Sequence, residues 1–303
     1  MTTALTKRNT LTGISVAVLA TLIWSGNFII ARGIIKVIPP VTLAFYRWLL
    51  ATLILLPFSW SFFKSGWSIV KDRFLYFLVA AAMGISIFNT FVYIGGHYSE
   101  AVNLALIGTT SSPIMSVILA VIFLKERISI IRIIGMLVCL AGVLLLLIKG
   151  DINNLFTLTF SAGDWWVLGA ALAFAIYNTM VKKKPVGMPS IHFLFAVFLI
   201  GTILLLPFYI LEYRHQGGFE LSFANASIFI YLALGASVVC FLLWNMAIAK
   251  LGSGRAALFG NLIPVFSSVE AVLILGEKIS WVQVASFGIV IAGLVISNLQ
   301  RRN

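Results

Sequence analysis

Runs of about twenty apolar residues separated by short polar connections recur ten times along the chain, and each run is long enough to cross hydrocarbon as a helix. The first five predicted spans cover residues 13 to 32, 39 to 58, 73 to 94, 101 to 124 and 129 to 148. The second five cover 163 to 181, 189 to 211, 224 to 249, 254 to 275 and 280 to 298. The longest connections, near 149 to 162 and 212 to 223, are too short to hold a soluble domain. The expected fold class is therefore all-α, an integral membrane bundle of ten transmembrane helices.

The pattern also repeats on a larger scale. ATLILLPF at 51 to 58 returns as GTILLLPF at 201 to 208, and Pro113 and Pro264, Glu126 and Glu277, and Ser129 and Ser280 all pair at a spacing of 151. Residues 1–150 and 151–303 thus form two halves of five spans each. Because five is odd, the second half must enter the membrane in the opposite sense, which predicts the inverted repeats on which alternating-access transporters are built.

Composition agrees with a membrane solvent: 61% of residues are hydrophobic and 10% charged. Cys139 and Cys240 lie in apolar segments and read as buried thiols rather than a disulfide. The first run follows Lys7-Arg8 but is too long for a signal core, so it is expected to be retained as a span. Of the 21 Lys and Arg residues, fifteen fall on the side of the N-terminus, five on the other, and Arg47 sits within span 2. That asymmetry predicts cytoplasmic N- and C-termini in the cell inner membrane. The net charge of +12 then reflects topology and attraction to anionic lipid headgroups, with no nucleic-acid partner expected.

Polar side chains at mid-depth are costly in hydrocarbon and normally face inward. Spans 2, 5, 7 and 10 are nearly pure apolar, whereas spans 1, 3, 4, 6, 8 and 9 carry polar groups and are expected to line a central cavity. Candidate substrate-binding residues in the first half are Trp24, Asn27, Ser86, Asn89, Tyr93 and Thr110. In the second half they are Tyr177, Asn178, Ser237, Trp244, Asn261 and Glu270. For the Ser, Thr and Asn residues, interhelical hydrogen bonding without any role in a cavity is the alternative. The repeat singles out a few positions: Ser86 and Tyr93, seven apart on one helical face, match Ser237 and Trp244, and Thr110 matches Asn261. Pro113 and Pro264 follow as candidate hinges, since a proline inside a helix removes a backbone donor. Packing kinks are the competing reading.

Two ionisable residues break the symmetry, Arg47 corresponding to Val197 and Glu270 to Leu119. They read either as partners, or as charges that meet the two ends of a zwitterion. Otherwise Arg47 snorkels outward and Glu270 is hydrated near a mouth. Glu126 and Glu277 close spans beside basic residues, where an interfacial turn is expected, and Ser280 with Gln283 predicts a capping box opening span 10.

With WSGNF at 24 to 28, FYRW at 45 to 48, SPIMSVILAVIFLKER at 112 to 127 and its echo IPVFSSVEAVLILGEK, the chain resembles the EamA branch of the drug/metabolite transporter superfamily along nearly its whole length. The resemblance implies export of small metabolites, often amino acids and aromatic ones among them, through a ten-helix bundle by alternating access. An enzyme is not expected: His97, His192 and His215 are scattered, and no HExxH is present. The absence of GxxxxGK[ST] argues against a nucleotide-driven pump, so neither cofactor nor metal is expected. A channel, or an exchanger of another metabolite, is the rival to an amino-acid exporter.

Overall fold

A computed structural model of the chain describes residues 2 to 34, 38 to 98, 101 to 156, 161 to 219, 222 to 275 and 279 to 298; the side chains of Asn27 and Thr110 lie outside what it describes. Helices occupy all ten predicted positions. In the first half, span 1 is Thr2–Ile34, span 2 Pro40–Leu55, span 4 Ala101–Leu124 and span 5 Ile130–Leu147. Span 3 is composite, running as α-helix over Phe74–Ala81, π-helix over Ala82–Ile87 and α-helix over Phe88–Tyr98. In the second half, span 6 is Ala162–Lys182, span 7 Ser190–Gln216 and span 10 Trp281–Asn298.

Span 8 repeats the composite plan of span 3, with Phe223–Ile230, a π-helical Tyr231–Val239 and Cys240–Leu251. Span 9 is broken differently: Ser253–Ala257, a 3₁₀ turn at Leu258–Asn261, then Leu262–Leu275. Among the described residues, six helical stretches are individually long and apolar enough to cross a membrane, and shorter apolar helices accompany them. The chain is an integral membrane bundle.

Some counterpart helices of the two halves pack on each other, and at spans 5 and 10 small residues decide how closely. Spans 5 and 10 meet backbone to backbone. A Cβ added at Gly293 would lie 2.5 Å from the Cys139 backbone nitrogen, and one at Gly142 would lie 2.9 Å from that of Val290. Cys139 donates its thiol proton to the Val290 carbonyl, 151 residues away. Both cysteines are free and buried, as expected. Spans 2 and 7 likewise pack together, with Thr52 and Thr202, 150 apart, in hydroxyl contact at 3.3 Å. Each of these hydroxyls also has the carbonyl four residues earlier within reach, Trp48 for Thr52 and Phe198 for Thr202.

Carboxylates near the helix ends act as caps. Glu212 of span 7 accepts the backbone N–H groups of Val41 and Thr42 and the Thr42 hydroxyl at 3.1, 2.6 and 2.8 Å, satisfying the open first turn of span 2. Glu126 accepts the Ser253 N–H at 3.1 Å, so its turn is tied to the start of span 9. Its counterpart Glu277 lies outside the described residues. The capping box at span 10 forms as predicted: Gln283 accepts from the Ser280 N–H at 2.7 Å, and Ser280 from the Gln283 N–H at 3.2 Å.

Candidate functional site

The two π-helical segments correspond at the repeat spacing, and each contains Gly-x-Ser, at 84 to 86 and 235 to 237. Ser237 donates to the Leu232 carbonyl five residues earlier, the π spacing. Gly84 admits the ring of Tyr177, against which any Cβ would collide. At the span 8 segment the Ala236 carbonyl accepts two side-chain donors, Trp24 Nε1 at 2.9 Å and Arg47 Nη2 at 3.1 Å.

Around these segments the bundle holds a cavity with about 90 Å³ of free interior. Its walls come from spans 1, 3, 4, 6, 8 and 9, the six that carry mid-depth polar residues, joined by Arg47 of span 2. One wall is aromatic. Trp24 lies with its ring centroid 5.1 Å from Trp244, 5.7 Å from Phe241 and 5.8 Å from Phe174, which stacks on Phe88 at 4.6 Å. Rings at these distances form a rigid apolar surface with little rotamer freedom to lose on contact with a solute. Trp244 is fixed further by donating Nε1–H to Asn178 Oδ1 at 2.8 Å, while Asn178 donates to Ser116 at 3.0 Å.

The polar end is built on Arg47. Its side chain is 2% exposed and does not snorkel. Nε donates to Ser237 Oγ at 2.7 Å, and Nη1 to Asn89 Oδ1 at 3.2 Å and to the Tyr93 hydroxyl at 2.9 Å. The guanidinium carbon also lies 5.0 Å from the Trp48 ring centroid, a cation-π contact. All of these partners are neutral, so a fixed positive charge stands at the cavity wall. Sequence alone does not put Arg47 in the binding set, because Val197 is its counterpart and outward snorkelling is an open alternative; its solitary place inside a span is the signal that points to it.

The remaining predicted residues divide. Trp24, Asn89, Tyr93, Asn178, Trp244 and Pro113 line the cavity. Ser237 stands behind the wall as the support of Arg47. Ser86 turns to the neighbouring helix, donating to the Gly201 carbonyl at 3.0 Å, and Tyr177 donates to Asn245 Oδ1 at 3.1 Å. Asn261 is buried in the 3₁₀ turn and donates to the Leu258 carbonyl, its Oδ1 having no partner among the described residues. Glu270 accepts the Ser25 hydroxyl at 2.8 Å between spans 1 and 9, is not among the lining residues and does not pair with Arg47, its Oε2 having no partner among the described residues. The prolines differ: Pro113 is interior to span 4, whereas Pro264 occupies the first turn of Leu262–Leu275, where no N–H is required.

The EamA-like transporter family model matches twice, over residues 11–148 and 161–299. The chain belongs to this family. A transporter of Archaeoglobus fulgidus is 26% identical over 93% of this chain and 96% of its own length. A Salmonella typhimurium protein named "Probable amino-acid metabolite efflux pump" is 23% identical over 93% of each chain. A Streptantibioticus cattleyicolor protein named "Probable terminal-alkyne amino-acid exporter" is 26% identical over 62% of this chain and 61% of that one. A solved crystal structure superimposes with a TM-score of 0.78 at 15% identity, covering 96% of both chains, which supports the shared fold. As an EamA-like transporter, the chain works in a membrane on small-molecule substrates.

Proposed function

We propose that this EamA-like transporter exports small neutral or zwitterionic metabolites, amino acids first among them and aromatic amino acids included, by alternating access. The observation that carries the reading is the cavity within the bundle, lined by the aromatic wall of Trp24, Phe174 and Trp244 and by the single cationic group of Arg47. An apolar pocket with few convergent polar groups suits a small amphipathic solute. A phosphate ester or nucleotide-sugar would present several negative charges to one guanidinium. The amino-acid efflux names of two relatives support the same substrate class.

In this reading residues 1–150 and 151–303 are the two inverted halves that move against each other. Pro113 inside span 4, and in span 9 the 3₁₀ break at Leu258–Asn261 that precedes Pro264, are their hinges. Both termini face the cytoplasm from the inner membrane; a cysteine placed at Lys183 would then escape reagents confined to the outside. Purified protein in liposomes loaded with a panel of labelled amino acids tests the cargo. Efflux of at least one amino acid above protein-free controls is expected. Release of phosphorylated or nucleotide-linked compounds with no amino acid released would overturn the assignment.

A further inference from the structure

The hydrogen bonds around the cavity separate the two ends of an amino acid. A guanidinium carries five N–H donors. Four of those of Arg47 are engaged, by Ser237, Asn89, Tyr93 and the Ala236 carbonyl, which leaves one Nη2–H uncommitted among the described residues. The Tyr93 hydroxyl accepts from Arg47, and its own proton has no partner among the described residues. Both residues line the cavity, and both side chains are almost wholly buried. A buried charge that meets only neutral partners is incompletely compensated, and an anion is the complement that the site lacks.

An ammonium group would meet only neutral oxygens at the lining side chains, and the two amide oxygens each already accept one hydrogen bond. Asn89 Oδ1 is taken by Arg47 and Asn178 Oδ1 by Trp244. No Asp or Glu is among the lining residues, and Glu270 accepts from Ser25. Beyond the second lone pairs of those amide oxygens, the lining side chains leave the Ser112 and Tyr93 hydroxyls for a cationic group, and none of these is charged. The ring N–H groups of Trp24 and Trp244 are likewise committed, so the aromatic wall presents ring surface rather than donors.

We infer that the cavity recognises its cargo through a carboxylate, held by Arg47 Nη2–H and the Tyr93 O–H, and offers an α-ammonium no charged partner. The substrate class is then small apolar and aromatic monocarboxylates, of which amino acids are one case. The inference rests on the transporter reading and extends its substrate class from zwitterions to monocarboxylate anions.

The test uses the full chain in detergent or liposomes with three probes of one shape: phenylalanine, 3-phenylpropionate, which lacks the ammonium, and phenylalaninamide, which lacks the carboxylate. Binding is read by tryptophan fluorescence and by competition against labelled phenylalanine efflux. Phenylalanine and 3-phenylpropionate are expected within about threefold of each other and the amide at least about tenfold weaker, the scale of one charge-assisted hydrogen-bonded contact. Tyr93→Phe keeps the ring and removes one donor; it is expected to weaken both carboxylates about threefold to tenfold and leave the amide unchanged. An amide that competes as well as the acids, or a 3-phenylpropionate that fails where phenylalanine succeeds, overturns the inference while transport itself stands. If none of the three binds and no amino acid moves, the inference falls together with the transporter reading.

Discussion

Gly293→Leu is expected to abolish recovery of folded, monodisperse protein, while Gly288→Leu in the same helix leaves yield and melting behaviour unchanged. The contrast isolates packing from composition. A Cβ at Gly293 would sit 2.5 Å from the Cys139 nitrogen and 2.7 Å from both Cys139 Sγ and the Gly135 carbonyl oxygen, whereas one at Gly288 meets nothing within 4 Å. Two of the obstructing atoms are backbone, so no rotamer change relieves them and the helices must part along their length. Overpacking a core costs about 1 to 3 kcal/mol when side chains can give way. Here separation also removes the contacts of a whole helix pair, against a total stability of about 5 to 15 kcal/mol. Fluorescence-detected size exclusion and thermal melts of both variants decide the matter. Equal behaviour of Gly293→Leu and the parent would show that spans 5 and 10 do not pack this closely.

Trp244→Ala is expected to reduce transport by at least about tenfold, because it removes the ring that closes the aromatic wall and leaves Asn178 without its donor. The side chain is 1% exposed, so stability must be read beside flux; truncating a buried large ring costs about 3 to 5 kcal/mol in soluble cores. Trp244→Phe separates the contributions in part, retaining a smaller aromatic ring and losing the N–H. It is expected to keep folded yield and an intermediate rate. Trp281, 87% exposed, supplies a control whose replacement by alanine leaves flux at the parent level. Parent-level flux in Trp244→Ala with folded protein intact would remove the ring from the transport path.

The fold is legible in the sequence because hydrocarbon imposes long apolar runs, and because paired positions such as Thr52 and Thr202 keep the repeat visible at helix contacts. The cap of Ser280 on Gln283 is legible for a local reason, since its signal spans four residues. The site is legible only in part. Placing Ser86 and Tyr93 on one face assumes α-helical periodicity across seven residues, but Ser86 lies in a π-helical segment and Tyr93 beyond it. An added residue in a turn rotates the helix on its N-terminal side by about 100° relative to the helix on its C-terminal side. Tyr93 accordingly reaches the cavity while Ser86 reaches Gly201. The repeated Gly-x-Ser marks those segments, but such a tripeptide has no unique local meaning. Arg47 is ambiguous for a different reason: whether a long basic side chain snorkels or turns inward depends on distant acceptors, here Ser237 and the Ala236 carbonyl, which no local pattern brings together.

Solute counterflow in proteoliposomes tests the central claim most directly. Vesicles preloaded with a high concentration of an unlabelled transported amino acid are diluted into a trace of the labelled form. Alternating access through the cavity predicts a transient internal accumulation of label above its equilibrium level, followed by decay as the gradient runs down. Monotonic equilibration without overshoot, unaffected by the preload, would mark an open channel and contradict the account.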